Sequence, residues 1–169
     1  MKLILLRHAK AQKASREIRD DQRPLQKRGY AQIAGLAEHL PNPMSLDRSR
    51  PWVVWCSPAL RTRQTLEGWH QHGQVQSRWE HFPTPQYPDW LYLADANRLE
   101  SERQGLNDSI NLLVVGHNNG LSEWANDLLG YDYPLLRTCQ LLVLQKRREE
   151  ESGLLWRVEQ SWVPDLEIW

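Results

Sequence analysis

The chain has 169 residues; sixteen Arg and five Lys balance 21 Asp+Glu, so the formal net charge is zero and the pI is near 7. At roughly 150 residues per domain this is one domain over 1–169, large enough to build a core without disulfides or metal. The balanced charge argues against a nucleic-acid or anionic-membrane binder, no apolar run approaches the ~20 residues of a membrane span, and the apolar part of MKLILLRH is too short for a signal peptide.

Leu3-Ile4-Leu5-Leu6 is a continuous apolar run, as expected of a strand buried on both faces. Residues 9–23 are polar and read as a loop. From Leu25 to Leu40 apolar residues recur at helical spacing (Ile33, Leu36, Ala37, Leu40), and Pro41 with Pro43 closes that helix. Trp52 to Cys56 is a second buried strand. Ser57-Pro58 then reads as an N-cap with Pro at the first helical position, opening a helix that stops at Gly73. Turn chemistry follows over 74–90, with a weak helix over 91–106. Leu112 to Val115 is the third buried strand, and a helix over 121–129 ends at Gly130. Leu141 to Gln145 and Leu155 to Val163 form a closing hairpin around a charged turn at 146–153. Cys56 and Cys139 sit in apolar runs and read as buried free thiols of a reducing compartment, so a cytoplasmic protein is expected. Most of the nine tryptophans, Trp52, Trp55 and Trp156 foremost, fit core or core-edge positions.

Strands alternating with helices predict an α/β fold: a three-layer sandwich with a mainly parallel central sheet flanked by helices and antiparallel C-terminal strands. In such sheets ligands bind beyond the carboxyl ends of the strands. Here the first strand ends in Arg7-His8, the second in Ser57 with Arg61 one helical turn on, and the third in Gly116-His117-Asn118-Asn119-Gly120. If these strands are neighbours, two arginines and two histidines converge on one edge. Helices opening near Ser57 and Asn118 would aim free N–H groups at the same place, which suits an anion.

Leu6-Arg7-His8-Ala9 resembles the Arg-His-Gly signature of the histidine phosphatase superfamily, the phosphoglycerate-mutase-like fold. Ser57-Pro58-Ala59-Leu60-Arg61-Thr62-Arg63-Gln64-Thr65 resembles its second block and Val115-Gly116-His117-Asn118 its third. The short chain and Arg23-Pro24-Leu25 resemble the small SixA-type phosphohistidine phosphatases. The resemblance implies a metal-independent, cofactor-free phosphatase in which His8 is the nucleophile and Arg7, Arg61 and His117 hold the phosphoryl oxygens. Arg23 and Asn118 are implied as further substrate-binding residues.

Two departures stand out. Ala9 replaces the family glycine, at a cost on the order of 1 kcal/mol if the position needs positive φ. The family's general acid has no clear counterpart, Glu80, Asp89 and Asp95 being candidates and ordinary surface carboxylates the simpler reading of each. Gln26 also stands where a hydroxyl residue is expected before the first helix. An alkyl phosphoester needs a positioned acid, worth ~10²–10⁴-fold, whereas a protonated phosphoramidate leaves with less help. The expected substrate is therefore phosphohistidine on a protein, such as a histidine-phosphotransfer domain. The alternatives are a small phosphomonoester, possible through Asp89 or Asp95, and a weakly active module that binds phosphorylated ligands.

A cysteine phosphatase is disfavoured because Cys56 and Arg61 are too close in sequence and Pro58 removes an amide from the loop between them. His70 and His72 are two apart in the predicted helix, hence on different faces, and no Cys or carboxylate cluster completes a ligand set with them and His81, so no metal site is expected. Asp20-Asp21 reads as a solvated pair.

Overall fold

The three apolar runs become adjacent parallel strands. β1 (Lys2–Arg7), β2 (Trp52–Cys56) and β3 (Asn111–Gly116) lie in the order β2–β3–β1, with Leu5 opposite Val114 and Trp55 opposite the same residue on the other side. β4 (Leu141–Glu149) adds antiparallel to β1, and β5 (Gly153–Trp162) antiparallel to β4. The computed structural model describes residues 1–75, 82–149 and 153–164. The architecture is the expected α/β sandwich.

Period-two alternation divides the sheet residues between two cores. Ile4, Leu6, Val54, Leu113 and Val115 pack against Ile33 and Leu36 of α1 (Lys27–His39) and Leu66 and Trp69 of α2 (Leu60–Val75). Leu3, Leu5, Leu112 and Val114 pack on the other face against Leu99 of α3 (Ala96–Gln104) and Leu121 and Trp124 of α4 (Gly120–Leu129). A strand buried on both faces cannot alternate with polar residues, which is why these runs are continuously apolar. Among the described residues no helix is long and apolar enough to cross a membrane.

Several boundaries differ from the sequence expectation; the weak helix expected over 91–106 is α3, which begins only at Ala96, after its cap Asp95. α2 begins at Leu60, after Ser57-Pro58, and the Ala59 carbonyl accepts the first helical bond, from Arg63 N–H at 3.1 Å. Ser57 does not cap it, because its hydroxyl is bonded to His117 instead, at 2.7 Å. Arg61 is thus the second helical residue. α2 also continues through Gly73 to Val75. Among glycines with described backbones only Gly130 takes a left-handed φ, +73°, and it ends α4 as expected. The hairpin strands reach into the expected charged turn, with Lys146 paired to Asp108 at 2.8 Å.

Gly120 opens α4 under a loop that crosses close above it. A Cβ there would lie 1.9 Å from the Ala94 carbonyl oxygen, a backbone atom that cannot swing aside. Gly120→Ala is expected to destabilise the fold by about 2 kcal/mol, lowering Tm by roughly 4–8 °C in a thermal melt. An unchanged Tm would mean that the loop yields freely.

Candidate active site

The parallel register brings the strand ends together. Arg7 lies opposite Gly116, His8 N–H donates to the Gly116 carbonyl at 3.1 Å, and Ser57 N–H donates to the Val115 carbonyl at 3.0 Å. The His8 and His117 rings are consequently 5.3 Å apart, tilted by 59°. Arg7, His8, Arg23, Arg61, His117 and Asn118 all line one cavity of about 360 Å³ at this end of the sheet. These six sequence-predicted residues therefore reach the same place.

His8 Nδ1 is 2.7 Å from the Ala9 carbonyl oxygen. A carbonyl only accepts, so Nδ1 carries the proton and Nε2 keeps its lone pair. Burial, with the charges of Arg61 and Arg7 adding to it against the Ala9 hydrogen bond, lowers the His8 pKa to about 4. Ala9 itself is fully buried and donates its N–H to Thr65 Oγ1 at 3.0 Å. Its φ is not in the left-handed region, so the cost anticipated for replacing glycine does not arise. Gln26 precedes α1 without a side-chain cap; its amide donates to the Ala11 carbonyl at 3.2 Å.

Arg7 Nη1 and Asn118 Nδ2 both donate to the Leu136 carbonyl, at 2.7 and 2.9 Å, and Asn118 Oδ1 accepts from Ser122 at 2.9 Å. Asn118 therefore braces the rim with the same groups that place Arg7. Burial lowers the His117 pKa to about 2, helped by Arg61 and His8 and opposed by Asp20. Three of the four buried side-chain nitrogens left without a partner among the described residues are Arg7 Nε, Arg61 Nε and His117 Nδ1. Such orphans cost stability unless a ligand satisfies them.

The residue that sequence reasoning missed is Asp20. Its carboxylate accepts from Arg61 Nη2 at 3.0 Å, Arg23 Nε at 2.8 Å and the Tyr92 hydroxyl at 2.6 Å, while its backbone carbonyl takes Arg61 Nη1 at 2.6 Å. The Tyr92 hydrogen bond foremost, with Arg23 and Arg61, holds its pKa at about 2, so it is ionised. Far from a solvated pair with Asp21, it fixes both arginines. An Asp in a polar loop carries no local signal of that task; only its spacing before Arg23-Pro24-Leu25 could have drawn attention to it.

The other candidates lie elsewhere. Asp95 caps α3, accepting from Arg98 N–H at 2.8 Å, and Asp89 is exposed in the turn before it; neither lines the cavity. Glu80 and His81 lie outside the described residues. His70 stacks on Phe82, its ring centroid 5.0 Å away, and no group of three His, Cys, Asp or Glu suited to a metal occurs among the described residues. The Cys56 thiol is buried, and its pKa is pushed far up by desolvation, so it offers no thiolate.

The two histidines make a pH prediction whose sign is fixed. Their folded pKa values lie below the ~6.5 of an exposed histidine, so the unfolded chain takes up protons first as pH falls. Their contribution to stability is complete above about 6.5 and declines as the pH drops toward 4. Imidazole NMR signals of His8 and His117 should stay in the neutral form from pH 8 to 5, and Tm should be lower at pH 5 than at pH 7. Titration of either ring near 6.5 would contradict this.

The model of the histidine phosphatase superfamily (branch 1) matches residues 3–90. An uncharacterized chloroplastic protein of Arabidopsis thaliana is 31% identical, over 99% of this chain and 79% of its own. Among solved structures, a protein assigned as the phosphohistidine phosphatase SixA of Agrobacterium tumefaciens superposes with a TM-score of 0.75 at 27% identity, covering 96% of this chain and 98% of its own. The fold is also that of the protein histidine phosphatase SixA complexed with tungstate, TM-score 0.71 at 20% identity, covering 95% and 96% of the two chains.

Proposed function

The chain belongs to the histidine phosphatase superfamily (branch 1), and from that premise we propose that it removes phosphate from phosphohistidine on a protein partner, through a phosphohistidine intermediate on His8. The observation that carries the reading is the convergence of Arg7, Arg61 and His117 on the cavity that His8 lines, with Arg7 Nε, Arg61 Nε and His117 Nδ1 buried behind its wall and without a partner. The three side chains match a tetrahedral anion whose oxygens accept from several sides. A histidine-phosphotransfer domain is one form the partner can take.

His8 Nε2 attacks phosphorus, its P–N bond forming as the bond to the leaving nitrogen breaks. Arg7 and Arg61 hold the equatorial oxygens as charge spreads over them. The Ser57 hydroxyl lies 2.7 Å from His117 Nε2; with the hydroxyl as the hydrogen-bond donor, the ring carries its N–H on Nδ1, a third donor to the phosphoryl group. Arg23, tied to the Asp20 carboxylate, adds positive charge at the mouth. The departing imidazole takes the electron pair of its broken bond and leaves neutral if its ring was already protonated. Water then attacks the phosphoenzyme, releasing inorganic phosphate and restoring His8.

The choice of a phosphoramidate rests on the acid. Asp20 is the one carboxylate among the described residues that line the cavity, and it is held ionised by two arginines and Tyr92. It cannot donate a proton near neutrality. An alkyl ester would lack the help it needs, whereas protonated phosphohistidine needs little. The phosphoryl charge is met by the arginines, with His117 adding a hydrogen bond, so activity should survive a chelator unchanged and be inhibited by vanadate. Loss with chelator and recovery with magnesium or zinc would reverse that assignment.

The deciding experiment compares kcat/KM for a phosphohistidine-bearing protein with that for a panel of alkyl and sugar phosphates. Preference for the phosphoramidate is expected. An alkyl ester preferred, with that activity lost in Asp89→Asn or Asp95→Asn, would replace the reading with a small-molecule phosphatase. Saturable binding without turnover of any member would make the chain a phospho-ligand binder.

A further inference from the structure

Thr138 is the one hydroxyl-bearing side chain among the described residues that line the catalytic cavity. It sits between two anchors on the segment that carries the nucleophile. On one side the Leu136 carbonyl accepts from Arg7 Nη1 at 2.7 Å. On the other, Cys139 N–H is shared between the Arg7 and His8 carbonyls, at 3.1 and 3.0 Å. Cys139 is fully buried and held at φ +61°, a conformation that costs an L residue energy. Such strain persists only where the surrounding structure over-determines it. The fold thus pins the backbone of Thr138 directly against Arg7 and His8.

A short chain of hydrogen bonds orients the hydroxyl. Lys10 N–H, which can only donate, lies 2.9 Å from Gln32 Oε1. That contact turns the amide nitrogen of Gln32 toward Thr138, and Nε2, also only a donor, reaches Oγ1 at 3.2 Å. Gln32 is buried on α1, so this arrangement is rigidly held. Thr138 therefore accepts from Gln32 and directs its own proton elsewhere. No described residue accepts it.

We propose that Thr138 is a phosphoryl-binding residue, its hydroxyl donating to an oxygen of the group that His8 attacks; the choice of a phosphoryl group as the ligand rests on the function proposed above. The donor suits that task. Charge builds on the phosphoryl oxygens during transfer, and a hydroxyl already oriented by Gln32 meets it without reorganising. Arg7 has Nη1 committed to the Leu136 carbonyl, so a neutral donor beside it adds a contact that Arg7 alone does not supply.

The test is Thr138→Val, which keeps the branched shape and removes the hydroxyl. Its kcat/KM for phosphoramidate and its inhibition by vanadate should both weaken by about tenfold, as for one lost hydrogen bond to a charged group. Thr138→Ser, which keeps the donor, should recover most of that loss. Valine also deprives Gln32 of its acceptor, so the same substitution is made in a Gln32→Leu background, where the drop should again be about tenfold. A drop that vanishes there would reduce Thr138 to a support for Gln32 and overturn the proposal, as would unchanged kcat/KM in Thr138→Val. If the variants fail to fold, a crystal structure of the wild-type vanadate complex decides. Thr138 Oγ1 should lie roughly 2.5–3.0 Å from a vanadate oxygen, and a separation beyond about 4 Å overturns the contact. Vanadate held on Oγ1 by a protein that does not turn over phosphoramidate would leave the contact standing and the catalytic reading fallen.

Discussion

His8→Ala is expected to lower turnover by at least about 10³-fold and to abolish the phosphoenzyme. The nucleophile is not merely near phosphorus; it is prepared for attack. The Ala9 carbonyl, 2.7 Å from Nδ1, holds the proton there and leaves Nε2 with its lone pair. A pKa of about 4 keeps that lone pair unprotonated across the neutral range. No neighbour can substitute, since His117 Nε2 is bonded to Ser57 and the Cys56 thiol is buried and undissociated. Trapping during turnover should give an acid-labile, base-stable label in the wild type and none in the variant. Label on Cys56, or full turnover without His8, would end the assignment.

Arg61→Lys should reduce kcat/KM by at least about tenfold, roughly 1.4 kcal/mol of transition-state stabilisation, although the charge is kept. The guanidinium is fastened from one end: Nη1 to the Asp20 carbonyl at 2.6 Å and Nη2 to its carboxylate at 3.0 Å. Nε is buried and without a partner, and one Nη2 proton is uncommitted, so the fork keeps donors to spare while Asp20 is held. A lysine has one nitrogen for both tasks. Either Asp20 captures it and the phosphate loses its clamp, or the phosphate does and Asp20 loses its anchor. A folding control is needed because the Arg61 side chain is only 2% exposed. A well-folded lysine variant with full activity would remove Arg61 from the site.

How far the site could be read without coordinates follows from where each signal lies. The strand ends were legible because a strand buried on both faces must be apolar throughout, so Arg7-His8, Ser57 and His117 break conspicuous runs. That those runs are neighbours was an assumption until the parallel register placed Arg7 beside Gly116. Ser57 was misread as a helix cap, since Ser-Pro is a good local start signal and its true partner is sixty positions away at His117. Gly73 was misread as a stop for a similar reason: glycine permits a left-handed residue without requiring one. Ala9 looked costly only because the backbone angle at that position is invisible in the sequence.

What the sequence by itself determined is the layered α/β plan, the strand-end histidines and arginines, and membership of a family whose chemistry those residues suit. These depend on periodicity and on short motifs, which are properties of contiguous residues. The tertiary structure alone decided which groups touch. Asp20, from an exposed loop, meets Arg61 forty-one positions on and Tyr92 seventy-two positions on. That meeting keeps the cavity's carboxylate ionised, removes it as a proton donor and leaves the Nε of Arg61 unsatisfied. Hydrogen bonds and charge act over a few ångströms of space, whatever the distance along the chain, so the protonation of the site is set only once the chain is folded.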